Sequence, residues 1–386
     1  MRRLVKWLLA LLVVAAVGFF SLMPGVVERS LNRMVPADLP TVTDAAKALH
    51  QDLFVADMHA DTLLWQRSML DAADRGHVDL PRLQKGNVGL QVFSSVTKSP
   101  KGLNYESNPS DSDMIGLLAF AQLQPPRTWT SLLERSLWHA EKMHAAAEDA
   151  DALMVIKTQS DIRALIAARS KDGRIVGGML SIEGLHNLEA DADNLQRLFD
   201  AGFRMAGLTH FFDNALAGSM HGEVKGGLTP FGRDIVEKME AMGMIVDIAH
   251  LSVTGVDDVL AMATKPVVVS HGGVKSLCDR NRNLTDDQIR GVAKTGGLVG
   301  IGYWEGALCD VHPRAVAEAI VHVRDVAGIE HVALGSDYDG SVAVAFDTAD
   351  LALITQALLD AGLSEADIRK VMGDNLLRVL ASTLPR

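Results

Sequence analysis

Two scarcities limit what this chain can do: cysteine is rare, and basic residues form no long run. Only two of the 386 residues are cysteine, Cys278 and Cys309. An oxidising compartment would permit a disulfide between them, but two unrelated buried thiols would give the same count. Acidic residues outnumber basic ones by 48 to 37, and the absence of a long basic run argues against a nucleic-acid partner.

The chain also lacks fixed-period repeats, low-complexity tracts and a dinucleotide-binding motif. No G-x-G-x-x-G follows the first expected strand, which weighs against a dinucleotide-binding fold. Hydrophobic residues make up 48% of the chain. This content is enough for a large core and argues against disorder. Without an N-terminal apolar segment, about 350 residues remain, an ordinary size for one α/β barrel with insertions.

That N-terminal segment is uncharged from Trp7 to Val27 and follows three basic residues. As a helix it would measure about 31 Å, close to the hydrocarbon thickness of a bilayer. The basic residues predict that the N-terminus stays in the cytoplasm, so that the rest of the chain lies on the periplasmic or extracellular side. We interpret residues 1–28 as a membrane anchor. A cleaved signal segment, which would leave a secreted protein, is the alternative.

Eight short apolar runs rich in β-forming residues follow a predicted linker over residues 29–45 and a first helix. They are nearly continuous in hydrophobic residues, as strands covered on both faces should be. Helical patterns with start signals such as Thr229 and Thr285 separate the later runs. This alternation predicts parallel strands, and eight strands favour a (β/α)8 barrel, an α/β fold, over residues 46–386. The expected strand cores are Leu53–Met58, Val88–Ser94, Val176–Ile182, Arg204–Thr209, Met244–Ala249, Val267–Ser270, Leu298–Gly302 and His331–Gly335.

The connection between the second and third strands, residues 99–169, is long. It begins with Ser99–Asp113, which is rich in Pro, Ser, Asn and Asp, and continues with helical patterns. Long loops on the carboxyl side of a barrel often shape a ligand site. A surface excursion without a role is the alternative.

Metal-capable side chains stand where several expected strands end. They are His59, Asp61, Glu183, His250 and His271. In a (β/α)8 barrel the carboxyl ends of the strands converge on one face, where active sites lie, so these residues could share a pocket. Nitrogen and oxygen ligands without thiolate suit Zn²⁺, or less readily Mn²⁺ or Co²⁺. The pattern predicts a metal-dependent hydrolase.

The spacing of these residues is compatible with two ions. His59 and Asp61 are two positions apart in extended chain, so both can face one ion. Glu183 could bridge to a second ion held by His250 and His271. Two ions bridged by a carboxylate can activate a water as nucleophile and polarise a carbonyl.

Three further polar residues follow strands on the same face. His210 could be a ligand, but a hydrogen-bond donor to substrate fits better if the ligand set is complete. Asp337 could act as general base and then acid, or be a sixth ligand. Arg282 has the fork geometry that suits a substrate carboxylate, although a surface ion pair with a nearby aspartate explains its spacing equally well.

Segments such as DMHADTLLW, SIEGLHNL, GLTHFFDN, VDIAHLS and GSDYDG resemble the membrane (renal) dipeptidase family of the amidohydrolase superfamily. The resemblance extends from about residue 50 to about residue 380, apart from the long connection after the second strand, and it is specific because order and intervals agree. It implies a barrel with two zinc ions and a metal-bridging water as nucleophile. It also implies hydrolysis of dipeptides, with tolerance of a D-residue at the C-terminal position. A homodimer is common in that family.

The resemblance gives the metal-capable residues an order. His59, Asp61 and Glu183 would hold one zinc ion, and Glu183, His250 and His271 would hold the other. Other amidohydrolases often use H-x-H on the first strand and a carbamylated lysine as bridge. This chain has H-x-D there and no lysine at the end of the third or fourth strand. A binding protein without activity would be expected to lack a ligand, and none is missing.

The remaining roles also come from the resemblance. His210 would contact the tetrahedral intermediate or the substrate carbonyl, Arg282 would bind the C-terminal carboxylate of the substrate, and Asp337 would shuttle the proton. Cys278 and Cys309 would form a disulfide.

Overall fold

Strands and helices alternate along most of the chain. The computed structural model describes residues 2–386. Its strands are β1 (Arg33–Met34), β2 (Val55–Ala60), β3 (Val88–Val96), β4 (Leu153–Val155), β5 (Val176–Glu183), β6 (Phe203–Gly207), β7 (Ile245–Asp247), β8 (Val268–Gly272), β9 (Leu298–Ile301), β10 (Val332–Leu334) and β11 (Ala343–Val344). Its α-helices are α1 (Arg2–Leu31), α2 (Asp44–Gln51), α3 (Leu80–Lys85), α4 (Met114–Ala121), α5 (Leu132–Asp149), α6 (Gln159–Arg169), α7 (Asp193–Asp200), α8 (Pro230–Met242), α9 (Val253–Met262), α10 (Asp286–Lys294), α11 (Glu305–Leu308), α12 (Pro313–Ala327), α13 (Ala352–Asp360), α14 (Glu365–Arg369) and α15 (Asn375–Thr383).

Eight of the strands close into a parallel barrel. Their order is β3-β2-β10-β9-β8-β7-β6-β5, and β5 pairs back with β3 in parallel, for example Val96 with Glu183. The predicted (β/α)8 fold is confirmed, and each expected strand core overlaps one of these eight strands. The sequence did not predict β4, which has three residues and pairs only with the first residues of β5. Its run is too short to give a strand signal of its own.

Local signals in the sequence set several helix boundaries. The Thr229 side chain accepts a hydrogen bond from the Gly232 amide at the start of α8, and Gly243 ends that helix in the left-handed region at φ 74°. Thr285 and Gln288 form a reciprocal capping box at the start of α10. Each cap satisfies backbone groups that the helix itself leaves unpaired.

Apolar side chains fill the barrel beneath the site. Met58 of β2 and Val92 of β3 pack with Leu376 of α15 in one buried cluster, to which each of the eight barrel strands contributes. Val92 pairs with Met179, which lies on the same face of β5 as Glu183, because strand residues an even number of positions apart point the same way. The apolar cluster and the metal-capable residues therefore share the interior of the barrel, and the apolar layer lies nearer the amino ends of the strands.

The N-terminal helix ends later than the apolar stretch suggests. α1 is the one helix within residues 2–386 that is long and apolar enough to cross a membrane, and it continues to Leu31. The expected linker, residues 29–45, thus contains the last turn of α1, the whole of β1 and the start of α2. β1 pairs with β11, Arg33 opposite Ala343. Tertiary pairing, which leaves no periodic signal in so short a segment, orders this region.

Candidate metal centre and substrate pocket

The metal-capable residues meet at the carboxyl ends of the barrel strands. His59 lies in β2 and His271 in β8, Glu183 is the last residue of β5, and Asp61 and His250 follow β2 and β7. All five side chains are buried. Far-separated parts of the sequence thus form one site, as the strand-end pattern predicts for a parallel barrel.

Glu183 is the centre of the arrangement. Its Oε1 atom lies 3.0 Å from His250 Nε2, 3.3 Å from His271 Nε2 and 3.7 Å from His59 Nε2. His59 Nε2 is also 3.4 Å from Asp61 Oδ1. A single carboxylate in contact with three imidazole rings has the position that a bridging ligand requires.

The donor atoms fit a cation better than they fit one another. The Nε2 atoms of His250 and His271 lie only 2.9 Å apart, and Ser270 Oγ, 2.9 Å from His271 Nδ1, helps to orient that ring. His59 Nε2 and Asp61 Oδ1 are buried without a hydrogen-bond partner. Buried polar atoms are normally hydrogen-bonded. Unpaired nitrogen and oxygen atoms that converge on one point are therefore typical of metal ligands.

Three overlapping groups of ligand atoms could each hold an ion. They are His59 with Glu183 and His271, Glu183 with His210 and His250, and His59 with Asp61 and Asp337. Together they contain all five expected ligands, with His210 and Asp337 in addition. Glu183 occurs in two groups, which suits a bridge, although the groupings differ from the two sets that the resemblance implies.

Charge and burial displace the pKa values of these groups strongly. Burial alone would lower the pKa of His59, but Asp61, Glu183 and Asp337 raise it to about 10. Burial, together with the charge of Glu183, raises the pKa of Asp61 to about 7. Burial lowers the pKa of His250 well below its usual range. A divalent cation would favour carboxylate and neutral imidazole throughout, because those are the forms that bind metals.

His210 approaches the centre from the loop after β6. Its Nδ1 atom lies 3.0 Å from the carbonyl oxygen of Lys98, and its Nε2 atom lies 3.5 Å from Glu183 Oε2. Because a carbonyl can only accept, Nδ1 must carry the proton of this hydrogen bond. Nε2 is the ring atom that faces the pocket, and it is free to bind a substrate or an ion.

Asp337 lies near His59 and Asp61, three residues after β10. Its Oδ1 atom is 3.9 Å from His59 Nε2, and burial raises the pKa of Asp337 well above its usual range. Its backbone holds the left-handed region at φ 60°, as does that of His250 at φ 63°. Such conformations are uncommon outside glycine and persist at functional sites where surrounding structure enforces them.

Arg282 is buried beside the metal-capable residues without an acidic partner. Its guanidinium lies 4.4 Å from the ring centre of Trp304, and its Nε atom has no hydrogen-bond partner. Only 5% of the residue is exposed, and no carboxylate in residues 2–386 lies within 4 Å of its nitrogens. The aspartates that could have paired with it bind other residues: Asp279 binds Lys275, Asp286 binds His322, and Asp287 binds Arg290. An unpaired buried cation is costly, so this one is suited to an anionic ligand.

The long connection after β3 contributes to the pocket wall. Ser99, Leu103, Tyr105 and Ile115 line the cavity together with His210, Arg282 and Asp337, and its empty volume including the open mouth is about 550 Å³. For residues 99–169 the structure therefore favours a loop that shapes the site over a surface excursion without a role.

The sequence did not predict two buried aspartates that support the site. Asp57 accepts hydrogen bonds from the amides of His59 and Ser336, at 3.1 and 3.0 Å, and so ties β2 to the loop after β10. Asp247 accepts from the amides of Ala249 and Ser270, at 3.0 and 2.9 Å. Burial raises the pKa of both aspartates. An aspartate two or three residues before a strand-end histidine was the signal that could have revealed them.

The two cysteines form a disulfide. Cys278 and Cys309 are bridged with their Cα atoms 5.6 Å apart, the pairing that the resemblance implies. The bridge joins the loop of Arg282 to the turn that follows α11. Since Trp304 immediately precedes α11, the disulfide connects the two segments that hold the guanidinium and the ring beneath it.

This fold and this site define a metal-dependent hydrolase on a (β/α)8 barrel. A model of the membrane dipeptidase family, peptidase family M19, matches residues 43–384. The chain is 32% identical over 347 residues to the dipeptidase aclJ of Aspergillus oryzae, covering 84% of this chain and 77% of that one. It is 30% identical over 331 residues to the dipeptidase verJ of Clonostachys rogersoniana, covering 82% and 80%. The chain belongs to the membrane dipeptidase family and is a metallo-dipeptidase.

Solved structures share the same fold. A metallo peptidase from Rhodobacter sphaeroides, liganded with a phosphinate mimic of the dipeptide L-Ala-D-Ala, matches with a TM-score of 0.71 and 24% identity, covering 86% of this chain and 99% of that one. The probable dipeptidase PvdM from Pseudomonas aeruginosa matches with a TM-score of 0.73 and 18% identity, covering 89% and 98%. At these identities the similarity establishes the architecture.

Proposed function

We propose that this chain hydrolyses dipeptides with two Zn²⁺ ions at the strand-end centre. His59, Asp61 and Glu183 would hold one ion, and Glu183, His250 and His271 would hold the other. The observation that carries the proposal is Glu183, whose Oε1 atom lies within 3.7 Å of three imidazole nitrogens. Ligands of nitrogen and oxygen without thiolate favour zinc over softer metals.

The protein groups around this centre have complementary tasks. Two bound zinc ions would supply a Lewis acid and a water of lowered pKa. Asp337, whose Oδ1 atom lies 3.9 Å from His59 Nε2, would accept a proton and deliver it to the leaving amine, as a general base and then acid. The raised pKa that burial gives Asp337 suits a group that must hold a proton for part of the cycle.

Arg282 would bind the C-terminal carboxylate of the dipeptide. A free carboxylate would provide an acceptor for the Nε atom of this buried guanidinium, which has none, and Trp304 would keep the guanidinium plane oriented. Such a contact selects dipeptides, because a longer chain would have no carboxylate at that distance from the scissile bond. His210 would bind the substrate carbonyl oxygen through Nε2, which requires that atom to carry a proton when it donates.

We further propose that the C-terminal residue of the substrate can have the D configuration. The fold neighbour from Rhodobacter sphaeroides carries a mimic of L-Ala-D-Ala, which supports testing that stereochemistry first. The N-terminal helix α1 would anchor the protein in a membrane, with residues 46–386 as the catalytic domain on the outer side. The length of α1, its uncharged stretch from Trp7 to Val27 and the basic residues that precede this stretch support the placement.

The direct test is metal content together with dipeptide turnover, measured on the full chain in detergent. We expect about two zinc ions per chain, since the site offers two ligand sets, and hydrolysis of at least one L-D or L-L dipeptide. A Glu183→Gln variant should lose metal and turnover together, whereas Asp279→Asn, at an exposed ion pair, should lose neither. Full turnover without metal would contradict the proposal, and so would a metal content unchanged by Glu183→Gln.

A further inference from the structure

Helix α4 is an apolar helix that the protein itself covers only in part. All eight of its residues, from Met114 to Ala121, are uncharged and apolar or glycine. Leu117 is 61% exposed, Phe120 is 43% exposed, and Leu123 just beyond the helix is 60% exposed. A helix that is apolar all round is normally buried in a core or in a membrane, and a patch of this kind marks an interaction site.

The N-terminal helix passes directly beside this patch. The ring of Phe20 in α1 meets the ring of Phe120 edge to face, with their centres 5.5 Å apart. Seven residues further along α1, Val27 packs against the small apolar cluster that includes Ile115. The apolar surface of α1 and the apolar surface of α4 are therefore continuous.

The register of α1 fixes the depth of that contact. Phe20 precedes Val27 by seven residues, which is about 10 Å along the helix axis. If the uncharged stretch from Trp7 to Val27 spans the hydrocarbon layer, Phe20 lies well inside it, and Phe120 must lie at a similar depth. An exposed apolar helix at this position is surrounded by lipid tails.

The polar contacts of α1 place the same face of the barrel toward the bilayer. Glu28 binds Arg67 and Arg29 binds Asp74, and both partners lie in the loop after β2, on the carboxyl side of the barrel. Ile115 of α4 lines the substrate pocket from that side. The mouth of the pocket would thus open close to the membrane surface.

We propose that α4 and Leu123 insert into the outer leaflet beside α1, so that the enzyme binds the bilayer through a second element and its pocket faces the lipid surface. The partner is the acyl-chain region of a phospholipid bilayer. This inference rests on the proposed membrane anchor, and the two can fail separately.

A single-site fluorescent probe tests the proposal on the full chain. The two cysteines of the sequence are paired in a disulfide, so Leu117→Cys would introduce the one free thiol. An environment-sensitive dye on that thiol, in protein reconstituted into phosphatidylcholine vesicles, reports contact with lipids that carry an acyl-chain nitroxide. Val17→Cys in α1 reports the anchor. Ile166→Cys is the matched control, since it is a half-exposed aliphatic position on α6, whose Arg169 reaches the carbonyl of Val88 at the opposite end of the barrel.

We expect blue-shifted emission and strong nitroxide quenching at positions 117 and 17, and neither effect at 166. Quenching at 17 with none at 117 would overturn the insertion of α4 and leave the anchor intact. A probe at 117 that is shielded from aqueous iodide but not quenched by the lipid nitroxide would assign the patch to a second copy of the chain, which also overturns the proposal. Absence of quenching at 17 would overturn the anchor and the insertion together.

Discussion

Individual residues at this site adopt conformations that only their surroundings can enforce. His250 and Asp337 both lie in the left-handed region, and a side chain at Gly340 would collide with Asp337. The network around Asp57 explains how the loop after β10 keeps its position, because Ser336 is bound to Asp57 through both its amide and its hydroxyl. Buried hydrogen bonds behind the candidate site residues therefore hold these side chains in position.

Asp337 should be required for turnover rather than for metal binding. We expect Asp337→Asn to retain about two metal ions and to lower kcat by about 10²- to 10⁴-fold, the usual contribution of general acid–base catalysis. Asparagine preserves the shape of the side chain but cannot take up the proton. Metal analysis and steady-state kinetics on one preparation would test this, and loss of metal in the variant would make Asp337 a ligand instead.

Arg282 should recognise the free carboxylate of the substrate. In Arg282→Lys, which keeps the charge but loses the fork, we expect kcat/KM for a dipeptide to fall by about 10- to 100-fold. The same variant should barely change the much slower turnover of a C-terminally amidated dipeptide, which lacks the carboxylate. Equal losses on both substrates would argue that Arg282 merely supports the pocket.

His139 should make the fold sensitive to acid. Burial, with the nearby charges of Lys142 and Arg135, lowers the pKa of His139 from 6.5 to about 3. Between those pH values the unfolded chain binds a proton that the folded chain does not. The free energy of unfolding therefore decreases as the pH falls through this window, by up to about 1.4 kcal/mol per pH unit. Urea midpoints below about pH 6.5 should fall less steeply in His139→Gln than in the parent, and equal slopes would refute the assignment.

Elements differed in how well the sequence predicted them. The eight barrel strands and the caps of α8 and α10 were predictable, because local hydrophobic pattern and capping residues determine them. The short strands β1, β4 and β11 were not, since pairing with distant segments orders them. The site residues followed from the barrel rule, whereas the contribution of Tyr105 depends on how the loop after β3 folds back.

The end of α1 should be a structural part of the enzyme. Glu28 is buried and accepts hydrogen bonds from Arg67 at 2.6 Å and Arg75 at 2.8 Å, and Arg67 also binds Asp339 beside the site. Without Glu28, Arg67 keeps Asp339 but loses a hydrogen bond to a charged partner, and such bonds contribute about 1.5–3 kcal/mol. We expect Glu28→Ala to lower the free energy of unfolding by that order, measured by urea denaturation in detergent.

Asp74→Ala provides the control for this prediction. Asp74 pairs with Arg29, the residue directly after Glu28, but the side chain of Asp74 is exposed to solvent. Exposed ion pairs contribute little, so the control should unfold almost as the parent does. If both variants unfold like the parent, the buried pair does not stabilise the enzyme. Removing residues 1–28 would then not lower the free energy of unfolding through loss of this pair.

The whole molecule combines a barrel that assembles the metal centre with a helix at the same face. Sequence pattern alone predicted both parts, but not their relation, because no local signal encodes that α1 packs against α4. Their contact joins the proposed membrane anchor to the wall of the substrate pocket. A dipeptide would then be bound and released beside the lipid surface.

We expect the strand-end residues to hold two zinc ions that share Glu183. Anomalous X-ray scattering at the zinc absorption edge, on crystals of the purified full chain, tests it most directly. We predict two peaks in the pocket, one between His59, Asp61 and Glu183 and the other between Glu183, His250 and His271. One peak, no peak, or two peaks that do not share Glu183 would contradict this account.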